Sequence, residues 1–193
     1  MSAARQRPRL GALILTGGAS SRMGSNKALL DWGGARAVDR CAALAAAVGA
    51  DPIVTVGGRA LGYQHVEDET PRAGPVGGIV AGAKALAALG CRRVLVLAVD
   101  APTIEPADLS LLLDQPGPGA AFSGLFLPLV LDPQHLPAGA AADRSIRWLV
   151  EASGLAQLAC DHERARRLRG ANTPQERTRL LAELGPWPRP AGR

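Results

Sequence analysis

Between Arg93 and Asp100 the chain reads Val-Leu-Val-Leu-Ala-Val, with no polar position in the run. A strand with one face in water alternates apolar and polar residues. A strand apolar throughout is buried on both faces, which happens where helices cover both sides of a parallel sheet. Composition agrees: apolar residues make up 47% of the chain and aromatic residues only 3%. The core must therefore be filled by Ala, Val, Leu and Ile. The 193 residues suffice for one well-buried domain and are short for two. The expected class is α/β, three layers α/β/α around a mostly parallel sheet.

The remaining elements follow by periodicity. A first buried strand is expected from Leu10 to Thr16, then a glycine-rich loop, then a helix from about Ala35 to Val48 with Val38, Cys41, Leu44, Ala45 and Val48 inward. Asp51-Pro52 breaks the pattern before a β-branched strand, Ile53 to Val56. A helix opens at Pro75, carries Val76, Ile79, Val80, Ala83 and Leu86 inward, and stops at Gly90. A short helix is expected from Pro106 to Leu113, and a turn at 115–119. One or two short strands fall between Ala120 and Leu131, where Pro128 argues for an edge or a break. A helix from Arg144 to Glu151, a strand near Leu155 to Ala159 and a helix from Pro174 to Leu184 complete the chain. One domain is expected over 10–185, with a flexible stretch at 1–9 and a loose tail at 186–193.

Formal net charge is +5, but the arginines are spread and few aromatics stand among them. That argues against nucleic acid as a partner and for a field that attracts a small anion. Cys41, Cys91 and Cys160 are odd in number and form no C-x-x-C, so they read as reduced core thiols. The opening MSAARQRPR lacks the apolar stretch of a secretory signal, and no segment is long enough to span a membrane. A soluble, cytoplasmic protein with no membrane partner is expected.

Directly after the apolar Leu13-Ile14-Leu15 comes Thr-Gly-Gly-Ala-Ser-Ser-Arg-Met-Gly-Ser-Asn-Lys, residues 16–27. Such a run is a poor helix and a poor strand; it offers backbone N–H groups and cations to an anion, and phosphate fits best. It is not a Walker A loop, since Ser25 follows Gly24, Lys27 arrives two positions late and Ala28 replaces the hydroxyl. It is not a dinucleotide fingerprint either, because Gly17 and Gly18 are adjacent.

The run resembles the signature L-x-G-G-x-S-x-R-M-G-x-x-K of the molybdenum cofactor guanylyltransferases. Further segments fall in that family's order: Asp68 followed by Gly74-Pro75-Val76-Gly77-Gly78-Ile79, then Val99-Asp100-Ala101-Pro102, then Asn172-Thr173-Pro174-Gln175-Glu176. The resemblance implies a Rossmann-like nucleotidyltransferase fold of the nucleotide-diphospho-sugar transferase type. It also implies Mg2+-dependent transfer of GMP from GTP to molybdopterin, with molybdoenzymes or insertion chaperones as possible receivers. The implied nucleotide site is Leu15, Thr16, Gly17, Gly18, Ala19, Ser20, Lys27, Asp68 and Asp100, with Asp68 near the guanosine half and Asp100 as metal ligand.

The chemistry of these residue types agrees. Nucleotidyl transfer needs charge neutralisation and in-line positioning at an anionic triphosphate. Residues 17–21 can cradle phosphate oxygens, Arg22 can clamp the β- and γ-phosphates, and Lys27 is a compact charge for the α-phosphate and leaving pyrophosphate. Asp100, at a strand's carboxyl end, suits Mg2+, which takes one or two carboxylates beside phosphate and water. The catalytic group is thus expected to be Arg22, Lys27 and Asp100.

Plainer readings stand beside these. Asp100 could cap a helix, although Thr103 or Glu105 is better placed. Asp68 could belong to a solvated acidic loop, and Asn172 could cap the helix at Pro174 rather than orient metal or substrate. The family's N-x-N-T-P has Gly170 here in place of its first asparagine, and the acceptor region 115–145 is short and apolar. Arg144-Ser145-Ile146-Arg147 resembles the basic motif that follows it. Cytidylyl transfer, transfer to another phosphorylated acceptor, or nucleotide binding without turnover are the alternatives.

Overall fold

The computed structural model describes residues 8–17, 26–67, 74–139, 143–185 and 187. Its elements in chain order are β1 (Leu10–Leu15), α1 (Ala37–Ala47), β2 (Ile53–Val56), β3 (Gln64–Val66), α2 (Pro75–Ala88), β4 (Arg93–Ala98), α3 (Pro106–Leu113), β5 (Gly119–Phe122), β6 (Leu129–Leu131), α4 (Ile146–Ala152), β7 (Ala156–Leu158), α5 (His162–Leu168) and α6 (Pro174–Glu183). Among the described residues the strands form one sheet of seven, ordered β3-β2-β1-β4-β6-β5-β7, with β6 antiparallel to both neighbours and every other pairing parallel. The apolar run becomes β4, next to β1 at the centre.

Strand alternation divides the core into two layers. Ala12, Ile14, Leu95, Leu97, Phe122 and Val130 face the side covered by α1 and α3, meeting Val38, Ala45, Leu109 and Leu112. Leu13, Val94, Val96, Ala121, Leu129 and Leu131 face the side of α2 and α4, meeting Ile79, Ala83, Leu86, Leu149 and Val150. Helix α2 lies directly on the sheet because two of its inward positions carry no side chain. A Cβ on Gly82 would sit 2.4 Å from Leu13 Cδ1, and one on Gly78 3.0 Å from Val56 Cγ1.

Several boundaries differ from the periodicity. Helix α1 opens at Ala37 because residues 31–36 fold back on themselves first, with the Trp32 N–H donating to Ala35 O (2.8 Å) and the Ala37 N–H to Leu30 O (2.9 Å). Trp32 is thereby driven into the α1 core, with 1% of its surface exposed. Pro128 precedes β6, which lies inside the sheet, so the proline marks a break rather than an edge. Two elements gave no periodic signal: β3 has three residues, and α5 buries only Leu168. Trp187, in the stretch expected to hang loose, donates its N–H to Gly33 O at 3.1 Å, and the Arg40 guanidinium lies 4.8 Å from its ring centroid. No helix among the described residues is long and apolar enough to cross a membrane.

Gly119 opens β5 with φ +128°, and a Cβ there would lie 2.0 Å from Val130 O on the adjoining strand. Gly119→Ala is expected to cost about 2 kcal/mol, backbone strain adding to displacement of β6. A lower urea midpoint at unchanged m would record it; an unmoved midpoint would show that the hairpin yields freely.

Candidate active site

Leu15 pairs with Val56 on one side and Ala98 on the other, so the chain beyond β1, β2 and β4 emerges at a single carboxyl edge. From β1 the chain steps outward to β2 and β3, then returns through α2 to β4 on the opposite side of β1. This is a topological switch point, where open α/β sheets bind ligands.

The glycine-rich loop starts here. The Thr16 N–H donates to Val56 O (2.9 Å), and the Thr16 hydroxyl lies 3.0 Å from Val56 O and 2.5 Å from Gly57 O. Gly17 crosses Gly57 at contact distance, since a Cβ on Gly17 would be 2.9 Å from Gly57 Cα. Neither position has room for a side chain. Of the expected site residues, Gly18, Ala19, Ser20, Arg22 and Asp68 lie outside the described residues, and Leu15, Thr16 and Gly17 lead up to the loop.

The loop's far end is a 3₁₀ turn at Lys27–Leu29, capped by Asn26, whose side chain accepts from the Ala28 N–H at 3.0 Å, and anchored by fully buried Ala28. Lys27 reaches across the site. Its ammonium donates to Ala171 O (3.1 Å) and Asn172 Oδ1 (3.0 Å) and lies 3.6 Å from Asp100 Oδ2. Two of the three N–H groups of the ammonium are thus taken by hydrogen bonds, and the Asp100 carboxylate faces it as an ion pair.

Asp100 follows β4 and is held through its backbone, since Asp100 O accepts from the Ala171 N–H at 2.8 Å. Its carboxylate leans into space that a side chain at 170 would fill: a Cβ on Gly170 would meet Asp100 Cγ at 2.9 Å and its oxygens at 3.0 and 3.1 Å. The departure noted at Gly170 thus has a physical basis in this chain. The helix-cap reading of Asp100 is set aside, because α3 takes Glu105 as its N-cap. The cap reading of Asn172 gives way likewise: Thr173 caps α6, which frees the Asn172 amide oxygen for Lys27.

The site continues into that cap. Glu176 Oε2 accepts from the Asn172 N–H (2.7 Å) and the Thr173 N–H (2.9 Å), and these bonds, that of Asn172 foremost, hold its carboxyl below the usual range. Reasoning from sequence met Glu176 only as the last residue of the 172–176 segment and gave it no role, and it passed over the Ala171 carbonyl. The T-x-x-E spacing of a capping box, Thr173 to Glu176, was the available signal for the first; a backbone carbonyl leaves none. Ser145 caps α4, accepting from the Trp148 N–H at 3.1 Å, and the Arg144 guanidinium lies 5.6 Å from the Trp148 ring centroid. No hydrogen bond among the described residues joins either to the Lys27 group.

Among the described residues no cluster of three or more His, Cys, Asp or Glu is placed to hold a metal. Asp100 is a single carboxylate with 27% of its side-chain surface exposed, and amide and carbonyl oxygens stand nearby. Hard oxygen donors of this kind fit a divalent ion that completes its shell with phosphate and water. Beneath the site, the Cys41 Sγ–H donates to Ala98 O at 3.5 Å, and burial, with the Asp100 charge second, pushes that thiol up to about 12. Iodoacetamide on the folded protein near pH 8 is expected to label partly exposed Cys160 well before Cys41. Equal labelling by mass spectrometry would contradict that burial.

A lysine and a lone carboxylate thus meet at the switch point of an α/β sheet, at the edge where the glycine-rich run begins, and comparison with known proteins places the chain among the nucleotidyltransferases. The model of the MobA-like NTP transferase domain matches residues 12–147. The molybdenum cofactor guanylyltransferase of Xanthomonas euvesicatoria pv. vesicatoria is 34% identical over 188 residues, which cover 92% of this chain and 97% of that one. The chain belongs to this MobA-like family of molybdenum cofactor guanylyltransferases. Solved structures share the fold. A nucleotidyl transferase from Methanothermobacter superposes with TM-score 0.70 at 18% identity, covering 91% of this chain and 97% of that one. The molybdopterin-guanine dinucleotide biosynthesis protein A of Archaeoglobus fulgidus does so with 0.57 at 16%, covering 90% and 97%.

Proposed function

We propose that this chain, through one domain spanning 10–185, transfers GMP from GTP to molybdopterin in the cytoplasm. A phosphate oxygen of the pterin attacks the α-phosphorus of GTP, an O–P bond forms, the α–β anhydride breaks, and pyrophosphate leaves. The observation that carries this reading is the convergence of Lys27 and Asp100, 3.6 Å apart at the edge where the glycine loop begins.

Asp100 would hold Mg2+, with Asn172 Oδ1 as its neighbour; the bound ion would supply Lewis-acid neutralisation of phosphate charge. The chain's own groups do the rest. Lys27 keeps its bonds to Ala171 O and Asn172 Oδ1 and turns its third N–H, which faces Asp100 here, to an α-phosphate oxygen, where it stabilises charge that grows in the transition state. Arg22 clamps the β- and γ-phosphates, and the N–H groups of 17–21 fix the triphosphate in line. Asp68 serves the guanine, whose ring N–H and amino group are donors. Arg144 and Ser145 are assigned to the pterin phosphate by family resemblance alone, and the product passes to molybdoenzymes or their insertion chaperones.

Calorimetric titration of GTP, CTP and ATP in Mg2+, on wild type and Asp100→Ala, tests the reading. Selective GTP binding that weakens in the variant, followed by pyrophosphate release with molybdopterin, is the expected outcome. Equal binding of all three nucleotides, or none, overturns it, and CTP preference would move the assignment to cytidylyl transfer.

A further inference from the structure

We propose that Glu176 is a positioning residue for Lys27: it fixes the turn at 170–172 in the arrangement that offers two acceptors to the ammonium, and so sets where that charge stands. The inference rests on the transfer reaction proposed above. Lys27 sits on a short turn beside the glycine loop, and its own segment does not aim its ammonium. Both of its hydrogen-bond acceptors, Ala171 O and Asn172 Oδ1, come from adjacent residues 144 and 145 positions away.

What holds those residues is the α6 capping box. Glu176 Oε2 gathers the Asn172 and Thr173 N–H groups, and the Thr173 hydroxyl accepts from the Glu176 N–H at 3.2 Å. An ordinary capping box returns its carboxylate to the cap residue's N–H alone. Here the same oxygen also takes the N–H before it, at the shorter distance, and that residue is the one whose side chain holds Lys27. The Ala171 N–H, bonded to Asp100 O at 2.8 Å, pins the other side of the turn to the loop that carries the site's carboxylate. Glu176 therefore acts on the lysine chiefly through its acceptors: it makes no hydrogen bond or ion pair with Lys27, and its charge adds only to the field there.

Two measurements decide the matter together. The first is pyrophosphate release from GTP with molybdopterin, split into kcat and KM. Glu176→Ala is expected to lower kcat by about 10- to 100-fold with little change in KM for GTP, because misplacement is felt chiefly in the transition state. Glu176→Gln, whose amide oxygen can still accept from both N–H groups, should recover most of the loss. Glu176→Asp keeps the charge but shortens the arm, and should behave like alanine.

The second measurement needs no turnover. The chain has two lysines, Lys27 and exposed Lys84. Acetylation by acetic anhydride, read by mass spectrometry, gives the reactivity of Lys27 against Lys84 within each molecule. Glu176→Ala and Glu176→Asp should raise that ratio clearly, and Glu176→Gln, which keeps both bonds and loses only the charge, should raise it least. Should the alanine variant fail to fold, the aspartate variant is read in both assays. A lower melting temperature with wild-type kcat and labelling ratio would mean that Glu176 only caps α6, and overturns the proposal. If wild type releases no pyrophosphate, the reaction is at fault, and the labelling ratio alone judges Glu176.

Discussion

Lys27→Ala is expected to lower kcat by roughly two to three orders of magnitude, about 2.7–4 kcal/mol of transition-state stabilisation, the cost seen when one donor to a developing oxyanion is removed. The melting temperature should hardly move. The Lys27–Asp100 pair is partly exposed, with 21% and 27% of the side-chain surfaces in water, and pairs of that kind add little to stability. Lys27→Arg is expected to recover only part of the rate, because a planar fork does not reproduce a compact charge that donates to two acceptors while facing a carboxylate. The variant has a second consequence of opposite sign. Lys27 competes with any cation for the Asp100 carboxylate, so Lys27→Ala without nucleotide should bind Mn2+ at least as tightly as wild type. A variant that unfolds, yet keeps full activity in its folded fraction, would remove Lys27 from the chemistry.

Much of this arrangement could be read from residues in order, and the part that could not has a common cause. Strands β1 and β4 announce themselves because burial on both faces demands unbroken apolar runs. Helix α2 does so because Pro75 and Gly90 bracket an apolar stripe. Helix α5 is silent, since a helix that buries one leucine carries no stripe, and β3 is too short to alternate. At the site, Lys27 and Asp100 were legible through their spacing from the glycine loop and from the end of β4. The Ala171 carbonyl and the space at Gly170 were not. A carbonyl belongs to every residue, and a glycine required by a carboxylate packed against it looks, in sequence, like any glycine used for a turn. Asn172 fell between these cases: its residue type suits a cap as well as an acceptor, and only the placement of Thr173 at the cap separates the two.

The same limit applies to Asp108, whose removal is expected to bring the largest loss of stability among the changes considered. In sequence it is a helix residue three positions after Glu105. In the fold it is 1% exposed, with its oxygens 2.7 Å from Arg167 Nη2 and 2.9 Å from Arg167 Nε, 3.1 Å from the Glu105 N–H, and 3.5 Å from Arg164 Nε. One carboxylate thus caps α3 and neutralises two guanidinium groups of α5. The Thr103 hydroxyl adds a bond to Arg167 O at 2.7 Å. Asp108→Ala is expected to cost about 3 kcal/mol, the low end for breaking a buried pair, because Arg167 and Arg164 keep 32% and 19% of their side-chain surface in water. Urea unfolding at unchanged m would measure it, and Asp108→Asn, which keeps the cap acceptor and loses the charge, should fall between. The consequence reaches the site, because α5 runs within two residues into the Gly170 turn that meets Asp100. Loosening α5 should therefore lower kcat in the folded variant as well. A stability loss under 1 kcal/mol would show that packing of α5 on α3, rather than this carboxylate, brings the Lys27 acceptors into place.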